Sequence, residues 1–267
     1  RVKLSRVDRA SLEAYTNEIA LLKRLRGRRH IITLREAQVH LPSKTIYVVI
    51  ELGETDLAQL LRKERQAAKE REEERKSDGG EEWIAGPGGL DANFLRLMWQ
   101  QMLHAVKTVH DARMIHSDLK PANFVVVRGV LKLIDFGIAS AMGDDTTNIY
   151  KETQMGTLNY MSPESIQDAS THAEDEDGGL VIRQGRASDV WSLGCILYQM
   201  AYGKTPFAEL PLVQKIRAIT NPDHHIAFPP LADPTLRETI MACLERDPRR
   251  RPPIDGRGGL LQGAYLR

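Results

Sequence analysis

Three short strings carry side chains able to do chemistry together. The first is Ile115-His116-Ser117-Asp118-Leu119-Lys120-Pro121-Ala122-Asn123, the second Leu133-Ile134-Asp135-Phe136-Gly137, the third Ser162-Pro163-Glu164. Asp118 can accept a proton from a hydroxyl or orient it for attack. Asn123 and Asp135 offer hard oxygens, the donors that Mg²⁺ takes at about 2.0–2.1 Å. Lys120, two residues after Asp118, is a point charge suited to a phosphate. Such a set meets the needs of moving a phosphoryl group onto a hydroxyl: an oriented nucleophile, and cations that offset the transferring group's charge. Any one of these residues alone is better read as a turn cap, a common role for Asx side chains. All of them in this order, with Lys120 among them, argue against that reading.

The elements that must position these residues follow from periodicity. Leu12, Tyr15, Ile19, Leu22 and Leu25 recur at three- and four-residue spacing and predict a helix over residues 11–25. Residues 31–34 and 45–52 are rich in β-branched and apolar side chains and predict strands. Asp56 starts a helix through Leu57, Leu60 and Leu61, and the almost wholly charged run 62–76 extends it as a solvated arm. Residues 78–89, Gly-rich and acidic, predict a loop pinned by Trp83 and Ile84. Residues 91–109 predict a long helix with one buried face. The polar loop 115–123 then leads into short strands at 124–127 and 130–134 around a turn at Gly129. Residues 135–164 show little periodicity, and a stretch of that length without regular structure usually has a functional reason. Residues 168–185, acidic and then Gly-rich, read as a surface insertion. Ser188 is expected to cap an apolar helix over 188–200. Amphipathic helices follow at 213–219 and 236–244, and the glycines after Asp255 predict a short or frayed last helix. The order places a small sheet-bearing lobe before a large helical one, with a ligand cleft between them.

Composition narrows the classes. The 267 residues are 42% hydrophobic and 27% charged, enough for one large domain or two modest lobes. Thirty-seven basic residues against 36 acidic ones give a formal net charge of +1, which does not suit a nucleic-acid-binding surface. The basic runs 23–29 and 246–251 are read as solvated helix ends. Cys195 and Cys243 sit in apolar helical patterns and are expected in the core, with no disulfide or metal framework. No apolar run reaches the roughly 18 residues of a membrane span.

On the three strings the chain resembles the eukaryotic protein kinases, and the resemblance runs through essentially its whole length. It implies an α+β bilobal fold. Residues 1–52 would form part of the small lobe, and residues 53–267 the hinge and large lobe, with surface insertions near 64–90 and 168–185. It implies ATP and Mg²⁺ as cofactors. Asp118, Lys120, Asn123, Asp135, Glu18 and Thr157 would be the catalytic set, with Asn123 and Asp135 holding the metal. Glu18 would pair with an ATP-positioning lysine. Ile50 would gate the deeper pocket, the backbone of Glu51 and of Leu52 or Gly53 would bond adenine, Asp56 would meet the ribose, and Val125 would pack beneath the base. Residues 156–161 resemble the substrate loop. Asp189 would hold the catalytic loop, Glu164 would pair with Arg251, and His116 would support the site, stacked with Phe136, Leu22 and Leu34.

Ser117 stands where such kinases usually have arginine, which removes the commonest partner of an activation-loop phosphate. The strings at 116–124, 131–139, 156–164 and 188–207 are similar to the monopolar-spindle, or TTK-like, dual-specificity kinases. That resemblance implies transfer to Ser or Thr, and to Tyr, in the spindle assembly checkpoint. The implied location is nuclear, at kinetochores, spindle and spindle pole. Kinetochore scaffold proteins would be substrates, and the protein itself another, through Thr146, Thr147, Thr153 and Thr157. The charged run 62–76, the acidic stretch 173–179 and the tail 258–267 depart from the pattern. No Gly-x-Gly-x-x-Gly string precedes the first helix, and residues 1–4 resemble the stretch just after the usual strand lysine, so Lys3 is not taken as its replacement. The expectation is a segment cut just behind that lysine, weak in nucleotide binding by itself. The alternatives are a scaffold without catalysis, which the intact Asp118, Asn123 and Asp135 oppose, and an adaptor acting through residues 62–76.

Overall fold

The computed structural model describes residues 2–3, 9–40, 42, 45–77, 88–134, 157–170 and 185–267. Its small lobe is a three-stranded antiparallel sheet, ordered β1 (Val2–Lys3), β3 (Thr45–Ile50), β2 (Leu34–His40), with helix α1 (Arg9–Arg24) beside it. The predicted helix is present, shifted by one or two residues. Tyr15, Leu21 and Leu22 are buried along its inner side, and Leu25 just past its end. Lys23 and Arg24 fall in the last turn, where cations suit the helix dipole.

The strand predicted at 31–34 is corrected. Ile31 makes only an isolated parallel bridge to Leu133, and the strand begins at Leu34 and runs to His40. Arg35, Glu36 and Gln38 hide it in the sequence, because this face of the sheet is open: Val39 and Val49 are about half exposed. Pairing with β3, with a register shift between Leu34 and Glu36, decides the conformation instead.

A second sheet, β4 (Thr55–Asp56), β5 (Phe124–Val127) and β6 (Val130–Leu133), joins the hinge to the large lobe. Helix α2 (Leu57–Ser77) leaves it directly, and the charged run is helical as expected. The large lobe is built on α3 (Ala92–Asp111), N-capped by Asp91, and α5 (Arg186–Tyr202). Trp99, Met102, Leu103 and Val106 of α3 are buried, as are Trp191, Leu193, Ile196, Leu197 and Met200 of α5. Helix α5 is buried nearly all round, as a central core helix must be. Cys195 and Cys243 are both buried and free. Burial pushes both thiols up, Cys243 to about 12, so they pack as inert apolar groups.

Two further corrections concern helix starts. Ser188 is not the cap of α5: the helix begins at Arg186 after Gly185, and the Ser188 hydroxyl donates to Glu164 at 2.8 Å. A helix α4 (Pro163–Ser170) covers the end of the stretch 135–164 read as aperiodic and the start of the stretch 168–185 read as insertion. Its start is written in Ser162-Pro163-Glu164: Ser162 Oγ accepts from the Ser165 N–H at 3.3 Å, and proline suits the first turn. Helices α6 (Leu212–Thr220) and α7 (Pro234–Cys243) match their expected places within one or two residues. The tail forms short 3₁₀ turns at Leu260–Gln262 and Ala264–Leu266, anchored by buried Leu260 and Tyr265. Among the described residues no helix is long and apolar enough to cross a membrane. The loop with Trp83 and Ile84, and the acidic stretch 173–179, lie outside the described residues.

Candidate active site

Asp189 of α5 organises the loop that carries Asp118. Its carboxylate is fully buried. One oxygen accepts from the Ser117 N–H at 2.9 Å; the other accepts from the His116 N–H at 2.9 Å and from His110 Nε2 at 2.8 Å. Backbone donors aimed at a fixed carboxylate set the loop's conformation, including the left-handed Ser117 (φ +70°), uncommon for a residue other than glycine. His116 is buried and accepts from the Asp118 N–H at 3.3 Å, a supporting contact. Phe136, expected beside it with buried Leu22 and Leu34, lies outside the described residues.

Asp118, Lys120, Asn123 and Thr157 come together. Lys120 Nζ donates to Asp118 Oδ2 at 2.7 Å and to Thr157 Oγ1 at 3.2 Å. The Asn123 side-chain N–H donates to the Asp118 carbonyl at 2.8 Å. That bond leaves the Asn123 amide oxygen, a hard donor, without a protein partner among the described residues. Asp118 Oδ1 is likewise buried and unpartnered among them. An orphaned carboxylate oxygen is costly unless something binds there, and a substrate hydroxyl would satisfy it. Asp135 lies outside the described residues, but the preceding residue is fixed: the Ile134 N–H donates to the Asn123 carbonyl at 2.8 Å. The chain toward Asp135 therefore starts beside Asn123. These hard oxygens fit Mg²⁺.

The hinge residues lie against β5. A Cβ at Gly53 would fall 1.9 Å from Val125 Cγ1, so only glycine lets the chain pass this close to that side chain. The Glu51 N–H is spent on the Thr33 carbonyl at 3.0 Å. Among the described residues the Glu51 carbonyl and the Gly53 N–H have no partner, as an adenine-bonding edge requires. Ile50 closes β3, and Leu52 is 91% exposed. Glu51 Oε1 accepts from Lys132 Nζ at 2.5 Å and from the Thr33 N–H at 2.7 Å. Burial would raise this carboxyl; the bonds from Lys132 and Thr33 outweigh it and hold it below the usual range. Asp56 spends both oxygens on Gln59, at 2.8 and 2.5 Å, capping the start of α2. A ribose there would share a carboxylate already in use. Glu18 is half-buried on α1.

Residues 157–160, within the stretch expected to form a substrate loop, are held from below. Ser192 Oγ donates to the Tyr160 carbonyl at 2.7 Å, the Tyr160 hydroxyl donates to Gln199 Oε1 at 2.8 Å, and Lys215 Nζ donates to Asn159 Oδ1 at 2.6 Å. Glu164 pairs with Arg251 through two bonds, 2.6 and 2.9 Å, as expected. Arg251 also lies over the Trp191 ring, 5.0 Å from its centroid. His110, Lys132, Gln199 and Lys215 were not foreseen. No local spacing marks them, since their partners lie far away in the chain.

A family model for the protein kinase domain matches residues 1–256. The chain belongs to the protein kinase domain family. The kinase domain is 43% identical to serine/threonine-protein kinase mph1 of Schizosaccharomyces pombe, over 95% of this chain and 37% of that protein. It is 42% identical to dual specificity protein kinase TTK of Mus musculus, over 95% of this chain and 27% of that one. It is 38% identical to serine/threonine-protein kinase MPS1 of Saccharomyces cerevisiae, over 96% and 31%. The chain thus spans roughly a third of the length of these curated relatives. Its two-lobed form, a small sheet-bearing lobe on a larger helical one, is that of the family.

Proposed function

We propose that the protein carrying this domain transfers the γ-phosphoryl group of Mg-ATP to serine or threonine, and also to tyrosine, of protein substrates. The observation that carries this reading is the buried, unpartnered oxygen of Asp118 beside Lys120 and Thr157. Mg-ATP, when bound, supplies the phosphoryl group and the cation that neutralises its charge. Asp118 receives the proton of the attacking hydroxyl. Lys120 keeps the carboxylate aimed and adds positive charge next to it. Thr157 ties the substrate loop to that pair. Asn123 and Asp135 hold Mg²⁺, and residues 50–53 with Val125 seat the adenine, with Asp56 beside the ribose and Glu18 toward the ATP lysine.

The relatives named as serine/threonine and dual-specificity kinases support the acceptor range. The monopolar-spindle resemblance supports work at kinetochores and spindle in checkpoint signalling. Kinetochore scaffold proteins are the proposed substrates, together with the protein's own Thr146, Thr147 and Thr153. Thr157, already bonded to Lys120, serves as a support before it serves as an acceptor. Incubating the full-length protein and Mg-ATP with a peptide array, and separately with small alcohols, tests the substrate class. Labelled phosphate on Thr, Ser and Tyr peptides is expected; label on small alcohols and none on peptides would overturn it.

A further inference from the structure

Helix α2 extends as a charged arm, but its base is not solvated. Arg65 is half-buried and has no carboxylate partner among the described residues. Its guanidinium donates to the Gly88 carbonyl at 3.3 Å and to the Gln199 carbonyl. Gln199 is in the last turn of α5, and its carbonyl also accepts from the Gly203 N–H at 3.0 Å. A cation there is favoured by the helix dipole. The Gln199 side chain accepts from the Tyr160 hydroxyl of the substrate loop. Gly88, where the chain returns after α2, sits against the same turn: a Cβ on it would come within 2.5 Å of the Met200 carbonyl oxygen and 2.6 Å of that of Ala201. Arg65 and Gly88 thus clamp one turn of α5, and that turn holds Tyr160.

We propose that Arg65 is a positioning residue for the substrate loop, through which α2 sets affinity for the peptide by way of Gln199 and Tyr160. The inference rests on the kinase reading above and adds a determinant of peptide binding that touches neither nucleotide nor peptide. Its bonds are those of a charged donor in a partly desolvated place, the kind whose loss is felt most. Arg65→Lys keeps the charge, but its ammonium lacks the guanidinium fork that serves two carbonyls, so it should rescue only part of the effect.

The test uses the full-length protein, a threonine peptide taken from the array, and the variants Arg65→Ala, Arg65→Lys, Tyr160→Phe and the double Arg65→Ala/Tyr160→Phe. Arg65→Ala should raise the peptide KM about fivefold to tenfold, with kcat and the ATP KM within about twofold of wild type, and Tyr160→Phe should raise the peptide KM by a similar factor. The double variant should be no worse than the worse single one, because both cut the same link. Unchanged peptide KM in Arg65→Ala, or fully additive effects, would overturn the inference. Hydrogen exchange of amides 157–162 gives a readout independent of catalysis: about tenfold faster exchange in Arg65→Ala supports the link, and unchanged exchange overturns it. Faster exchange in a protein whose wild type transfers no phosphate would uphold the link and sink the kinase reading instead.

Discussion

Lys132 and Glu51 illustrate how a single side chain can fix a binding edge without touching the ligand. The carboxylate of Glu51, tied to β6 by Lys132 and to Thr33, holds the backbone whose carbonyl, without a partner among the described residues, belongs to the proposed adenine edge. Lys132→Met removes the charge while keeping most of the aliphatic stem, and leaves Glu51, among the described residues, with the bonds from Thr33. The expected result is an ATP KM raised about threefold to tenfold with kcat nearly unchanged, the pattern of lost ground-state binding, read from initial rates at varied ATP. Asp118, Lys120 and Asn123 were legible because their chemistry is written in neighbouring positions. Lys132 was not: in the sequence it is one polar residue in an alternating strand, and its role exists only once β6 lies beside the hinge.

At the scale of elements, the junction of α4, α5 and the turn after α7 rests on Glu164 and Arg251. The Arg251 side chain is fully buried and that of Glu164 is 20% exposed. Burial would raise the Glu164 carboxyl; the bonds and charge of Arg251, with Ser188, outweigh it and hold it below the usual range. A carboxyl depressed in the folded state stabilises the fold fully above its unfolded pKa, near 4.3, and that contribution is lost as pH falls through the lower folded value. Arg251→Met should therefore cost about 3–5 kcal/mol at neutral pH, because it strands a mostly buried charge. Urea denaturation at a series of pH values would check this, with the gap between wild type and variant narrowing as pH falls, first through the raised pKa of the stranded Glu164 in the variant and then through the depressed one of the wild type. A gap that widened toward acid would contradict the sign. Periodicity found α1, α3, α5, α6 and α7 because each repeats its apolar residues over about two turns or more, and α2 was read from Leu57, Leu60 and Leu61 continued by a charged run. It missed α4, which is short and starts on polar capping chemistry, and β2, whose outward face is polar and whose conformation is set by its partner strand.

For the whole molecule, the two-lobed order was readable from the succession of helix, strands and helical body, since the small sheet and the large helical core each need their own apolar set. What joins them was not. The parallel bridge of Ile31 to Leu133, the close pass of Gly53 over Val125 and the carboxylate of Asp189 under the loop are contacts between distant parts of the chain. They hold the Asp118 loop, β6 and residues 51–53 in place, and Lys120 links that loop to Thr157. The most direct measurement is phosphate incorporation into the full-length protein from labelled Mg-ATP, beside Asp118→Asn, which keeps the size of the side chain but cannot take the hydroxyl proton. A fall of about 10²–10⁴-fold in the variant, with its thermal unfolding unchanged, is the predicted result. Equal incorporation by the two proteins would contradict the assignment of Asp118, and with it the phosphotransfer site built around it.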